Sequence, residues 1–197
     1  MNNIVNSENS MIDSIFPCRL MNKAICTVNC EFTSYSGWVG HIVNVFSEIG
    51  KQRNTLYFVG NGGSAAIAIH MTADYLKNAC IRTRSMHDPA VLTCLGNDYG
   101  YEYIFSKQLE IVADPGDVLV AISSSGNSSN IVNAVRMAKE KSCIVVTLSG
   151  FRKDNAIRQM GDYNLYVPSM KYGTVESIHN AVLQQIVDFL KEGRQDG

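Results

Sequence analysis

Three short runs, "TLYFVG" (55–60), "DVLVAIS" (117–123) and "CIVVTLS" (143–149), are apolar at nearly every position. A strand with one wet face alternates apolar and polar residues, whereas a continuous apolar run leaves no face for water. Such strands must be covered on both sides, and the intervening segments have the period to cover them. Trp38, Ile42, Phe46 and Ile49 recur at spacings of three and four, which predicts a helix over 34–51. Further helices are expected over 63–78, 89–96, 101–112, 128–141, 154–160 and 174–191, with additional strands at "IRTRSM" (81–86) and "YNLYVP" (163–168). Strand and helix in alternation imply an α/β fold, a doubly wound parallel sheet, with one extra N-terminal helix. Residues 1–30 are polar, Asn-rich and weakly patterned, and read as a lead-in to that helix; 31–197 read as one domain.

Bulk properties exclude several classes. A chain of 197 residues is within the size of one core. A formal net charge of −1, with Arg82-Thr83-Arg84 as the longest basic cluster, argues against nucleic acid or an anionic membrane as a partner. No run approaches the ~20 apolar residues of a membrane span. The opening "MNNIVNSENSMIDSIF" has no Lys or Arg before Arg19 and does not read as a secretory signal, so a cytoplasmic protein is expected. The six cysteines (18, 26, 30, 80, 94, 143) then read as reduced, packing thiols. Cys26 and Cys30 have no second pair of matching spacing to complete a zinc knuckle.

In a doubly wound sheet, ligands bind where strands turn into helices at the carboxyl edge. Two turns there are chemically unusual. In "GNGGSAA", Gly60, Gly62 and Ala65 satisfy a loose dinucleotide-binding pattern, but the same backbone suits the phosphate of a small sugar. In "AISSSGNSSNIV", Ser123, Ser124, Ser125, Ser128 and Ser129 surround Gly126-Asn127 between strand and helix. Hydroxyls and amides at a helix start form a neutral cradle for a phosphate that keeps its own charge. Neither turn has the G-K-[ST] ending of a nucleotide triphosphatase. The pair points to a sugar phosphate, with Gly62, Gly63 and Ser64 opposite Ser123–Ser128.

Proton-transfer or metal-binding groups are sought among the few polar residues of the flanking helices. His70 and Asp74 are four apart, hence on one helix face, a spacing that suits two metal ligands or an acid–base pair. The last helix, "TVESIHNAVLQQIVDFL", offers Glu176, His179, Asn180 and Gln184. On a helical wheel His179 lies about 60° from Glu176, and Gln184 about 80° to its other side.

The stretches "GNGGSAAIAIH", "LGNDYGYEYIFSKQLE", "GDVLVAISSSGNSSNIVNAV" and "IVVTLSG" resemble the sugar isomerase (SIS) domain family, and within it the phosphoheptose isomerases, over about residues 35–190. The resemblance implies a flavodoxin- or Rossmann-like fold and a homotetramer, with zinc in many members. The activity it implies is conversion of sedoheptulose 7-phosphate to glycero-manno-heptose 7-phosphate for lipopolysaccharide or other surface heptose. It places Asn61, Gly62, Gly63, Asn97, Asp98, Ser123, Ser124, Ser125 and Ser128 at substrate-binding positions. It also exposes three departures. Asp74 stands where the family has Glu, Glu176 where it has a Gln ligand, and Gln184 where it has the catalytic, metal-binding His. Glutamine cannot shuttle a proton. The role then falls to Glu176 or His179, with Asp74 as a further proton-transfer group. An altered zinc site of His70, Asp74, Glu176 and Gln184 is the implied metal arrangement. A second class of function stays open: a non-catalytic phosphosugar-binding or adaptor protein on the same fold, as in the DnaA initiator-associating protein. An isomerase for another modified sugar phosphate is a third.

Overall fold

The computed structural model describes residues 21 and 23–195 of the chain. Seven strands form one sheet: β1 (Ile25–Val28), β2 (Glu31–Thr33), β3 (Thr55–Gly60), β4 (Arg82–Ser85), β5 (Val118–Ser123), β6 (Ile144–Ser149) and β7 (Tyr163–Tyr166). Six helices complete within the described residues accompany them: α1 (Tyr35–Gln52), α2 (Gly63–Lys77), α3 (Pro89–Tyr99), α4 (Ser106–Val112), α5 (Ser129–Glu140) and α6 (Tyr172–Gln195). The order across the sheet is β2-β1-β7-β6-β5-β3-β4. The five strands from β7 to β4 are parallel, as the apolar runs require.

Alternation along each strand divides the core in two. Leu56, Phe58, Val118, Val120 and Ile122 face α1, α2 and α6. Tyr57, Val59, Leu119 and Ala121 face α4 and α5. Every residue of β5 is buried, which is why its sequence has no polar phase. Ser34 starts α1 by accepting the Gly37 N–H at 3.1 Å, and Arg53 ends it in the left-handed conformation.

The lead-in differs from its expectation. Residues 25–33 form a hairpin, with β1 antiparallel to β7 and β2 antiparallel to β1. Its two-residue turn is Asn29-Cys30, both at positive φ (49° and 69°). That is the conformation of a mirror-image hairpin turn, for which Asn-Gly is the usual signal. Cysteine in the glycine position hid it. The turn also separates the two thiols: Cys26 points into the core, where burial pushes its pKa up to about 12, while Cys30 is exposed. Cys143 is likewise buried and raised to about 11. Cys18 lies outside the described residues. Two expected helices are shorter than read. The stretch 101–112 divides into a single 3-10 turn (Tyr101–Tyr103) and α4, and 154–160 keeps only a 3-10 turn (Ile157–Gln159). No helix among the described residues is long and apolar enough to cross a membrane.

Candidate active site

After β3 the chain crosses to β4 on one side, whereas β5 leads to β6 on the other. The crevice between adjacent strands with diverging connections is where open α/β sheets hold ligands. Gly60 and Ile122 are paired across it, so the turns that follow β3 and β5 lie side by side. Together with the start of α6 they enclose a cleft of about 260 Å³ lined by Asn61, Gly62, Gly63, Ser64, Ser123, Ser124, Ser125, Ser128, Tyr172 and Glu176.

Each wall has a local cause. Gly62 sits at φ +54°, a conformation that costs a side chain and frees the backbone ahead of α2. In the serine turn, Ser123 Oγ accepts the Gly126 N–H at 3.1 Å and Ser125 Oγ accepts the Asn127 N–H at 3.3 Å. Ser128 caps α5 with its backbone only, which leaves its hydroxyl uncommitted. Ser124 is 4% exposed, and its Oγ is buried with no partner. A buried hydroxyl without a partner is costly, and one that lines a cleft is a donor awaiting an acceptor. Behind this turn stands Asn155, fully buried, whose Nδ2 bonds to Ser149 Oγ and to the Gly150 and Arg152 carbonyls. Gly126 is at φ +64°, and a side chain there would also collide with Asn155. Behind the other turn, the His87 ring bonds the Gly60 carbonyl through Nε2 at 2.9 Å, so Nε2 carries the proton. Burial lowers its pKa.

Glu176 is the one charged side chain lining the cleft among the described residues. It reaches across from α6 onto α2: a Cβ added at Gly63 would fall on its carboxylate. The carboxylate therefore lies at the N-terminal end of α2, where the helix dipole favours negative charge.

The remaining expected residues are not brought to this cleft. His179 is fully buried in the stripe Val175, Ile178, Val182, Ile186, and its Nε2 bonds the Ser149 carbonyl at 3.2 Å. Burial lowers its pKa to about 4, leaving a neutral ring that faces the sheet rather than the cleft. This corrects its reading as a catalytic group. Asn97 and Asp98 are exposed at the end of α3 and bond to each other, Nδ2 to Oδ1, at 2.9 Å. Asp74 joins a separate cluster: His70 Nε2 lies 3.1 Å from its Oδ2, and Gln184 Nε2 donates to the same oxygen at 2.7 Å. Tyr75, next in the chain, sets this register by donating to the Leu183 carbonyl at 3.0 Å.

The four residues do not fit one zinc ion. Glu176 and Gln184 are eight positions apart, roughly 12 Å along a helix. Asp74 Oδ2 accepts from Gln184 Nε2 and lies beside the His70 ring, so these three side chains partner one another at a distance from Glu176. Among the described residues no three His, Cys, Asp or Glu side chains form a metal donor set.

The model of the SIS domain matches residues 38–150, from α1 through the serine turn and β6. The phosphoheptose isomerase of Pelobacter propionicus is 36% identical over 148 residues, covering 72% of this chain and 78% of that protein. The chain belongs to the SIS domain family, phosphoheptose isomerase type. The phosphoheptose isomerase of Citrifermentans bemidjiense is 36% identical over 180 residues, 86% of this chain and 93% of the relative. Among solved structures, the phosphoheptose isomerase of Neisseria gonorrhoeae superposes with a TM-score of 0.80 at 28% identity, covering 95% of this SIS protein and 97% of the other.

Tyr172, Asn130, Asn155 and His87 were not among the residues read from the sequence as site groups. Asn130 carried a faint signal, since it is an amide beside the serine-rich turn; Asn155, five residues past Gly150, carried none. Tyr172 and His87 carried none.

Proposed function

We propose that this SIS protein is an aldose–ketose isomerase that interconverts sedoheptulose 7-phosphate and glycero-manno-heptose 7-phosphate. The observation that carries the reading is Glu176, a lone carboxylate set beside a turn of hydroxyl and amide donors. The phosphate is held by Ser124, Ser125 and Ser128 at the start of α5, where the hydroxyls and the helix dipole accept a dianion without a cation. Glu176 removes a proton from C1, next to the C2 carbonyl, and returns it to C2, while the hydroxyl proton passes from O1 to O2. One carboxylate on one face of the enediol is enough for this transfer. No step uses a metal. The relatives' names, a catalysed reaction among them, and the match over most of the chain support the same substrate class.

Assembly and setting follow from the same reading: a homotetramer in the cytoplasm, supplying heptose for surface polysaccharide. An apolar groove of about 600 Å³ along α1 and α6, with Val39, Val43 and Phe189 in its walls, suits a subunit contact.

The second reading, a protein that binds phosphosugar without turnover, is favoured by one observation: Asp74 is tied up by His70 and Gln184, away from the cleft. The deciding experiment is NMR of the chain with sedoheptulose 7-phosphate in D₂O. Aldose product or deuterium next to the carbonyl, both lost in Glu176→Gln, is the expected result. Binding without product or deuterium would overturn the isomerase and favour the second reading.

A further inference from the structure

Asn61 lines the cleft and is held from two sides. Its Nδ2 donates to Asn130 Oδ1 at 2.9 Å, and Asn130 Nδ2 donates back to Asn61 Oδ1 at 2.9 Å. Asn130 is 1% exposed, so this paired-amide ring is a buried bolt between the turn after β3 and the first turn of α5. A closed ring of two amides satisfies itself equally well if both are reversed. One contact breaks the tie. The Ile131 backbone N–H, which can only donate, bonds Asn130 Oδ1 at 3.0 Å. That atom must be oxygen, the Asn61 atom facing it must be nitrogen, and the other Asn61 atom must be oxygen. The Tyr101 hydroxyl then donates to Asn61 Oδ1 at 3.0 Å.

With its oxygen accepting twice and one amide hydrogen spent on Asn130, Asn61 has a single hydrogen left for the cleft. We infer that Asn130 and Tyr101 are positioning residues that lock Asn61 as a hydrogen-bond donor to an oxygen of the bound sugar. Tyr101 serves a second purpose. It is 62% exposed and sits on the segment after α3, a helix with no buried residue, so its hydroxyl ties a lightly packed segment to the rim of the cleft. A second tie is the Asn133 Nδ2 bond to the Glu102 carbonyl at 3.0 Å. In an isomerisation, a donor fixed before the reaction stabilises the oxygen on which charge develops, and needs no reorganisation to do so. The role in turnover rests on the isomerase reading; the role in binding does not.

The test compares sedoheptulose 7-phosphate with inorganic phosphate by calorimetry, and kcat by NMR, in Tyr101→Phe and Asn130→Asp. The aspartate still accepts from Asn61 and Ile131 but returns no donor to Asn61 Oδ1. Affinity for the sugar phosphate is expected to fall about three- to tenfold in each, and kcat by up to about a hundredfold, as for loss of part of an oxyanion-type donor. In Tyr101→Phe, inorganic phosphate, held by the serine turn, should bind unchanged; in Asn130→Asp the added carboxylate beside that turn weakens binding of both ligands, and the sugar phosphate should fall further than inorganic phosphate. On an Asn61→Ala background, Tyr101→Phe should have no further effect. Equal weakening of both ligands, or an undiminished Tyr101→Phe effect without Asn61, would overturn the proposal. A wild type that binds the sugar selectively but turns nothing over would refute the isomerase and leave the locked donor standing on the affinity ratio.

Discussion

Acid should unfold this protein in a way that depends on one ring. His179 is fully buried, its Nε2–H donates to the Ser149 carbonyl, and its Nδ1 faces the core without a partner. Protonating it in place would put an uncompensated charge against β6, and its pKa falls from the usual 6.5 to about 4. The unfolded chain takes up this proton as pH drops through 6.5, while the native state refuses it until about 4, so the unfolded state gains throughout that window. The neutral ring's contribution is thus complete above pH 6.5 and gone below about 4. A gap of between two and three units, at about 1.36 kcal/mol each, is worth roughly 3 kcal/mol, a large share of a single domain's stability. The perturbation is His179→Gln, which keeps a donor for the Ser149 carbonyl and cannot be charged. Urea denaturation of both proteins at half-unit steps from pH 7.5 to 4 reads the effect. The wild-type curve should fall more steeply, and the difference between the two should shift by about 3 kcal/mol across the window. Parallel curves would refute the reasoning, because carboxylates common to both proteins would then account for all of the acid sensitivity.

Three further outcomes are expected. Gly63→Ala should leave urea stability within about 0.5 kcal/mol, since alanine suits a helix start, yet lower kcat about ten- to a hundredfold by displacing the Glu176 carboxylate; an unchanged kcat would separate Glu176 from the chemistry. Gly126→Ala should cost about 3 kcal/mol, combining a left-handed residue with a collision against the buried Asn155, and should abolish inorganic phosphate binding in calorimetry; a folded variant of wild-type stability would contradict the packing described. Metal analysis after dialysis against zinc should find less than one ion per chain and no change in Tm with chelator, whereas the double variant Asp74→Glu, Gln184→His should take up zinc; stoichiometric zinc in the wild type would overturn the assignment of His70, Asp74 and Gln184 as a hydrogen-bonded cluster.

Much of this protein was written into local sequence. The parallel sheet was legible because β3, β5 and β6 are buried on both faces and their residues record it. The two turns that line the cleft were legible as strand-to-helix turns because their glycines and serines stand between apolar runs. What local sequence left open was rotation and register. On a bare wheel His179 stands beside Glu176, and only the packing of α6 on the sheet sends one into the core and the other to the cleft. The docking of α2 on α6 gathers His70, Asp74 and Gln184 into one cluster and leaves Glu176 at the cleft, a division that depends on how the two helices meet. The hairpin at Asn29-Cys30 and the Asn61–Asn130 ring depend on partners 69 or more residues away or on a turn residue with no preference for its conformation. A residue's type states which contacts it can make. Which of them it does make is decided by competition for burial among whole helices and strands, and that exists only once the chain is folded.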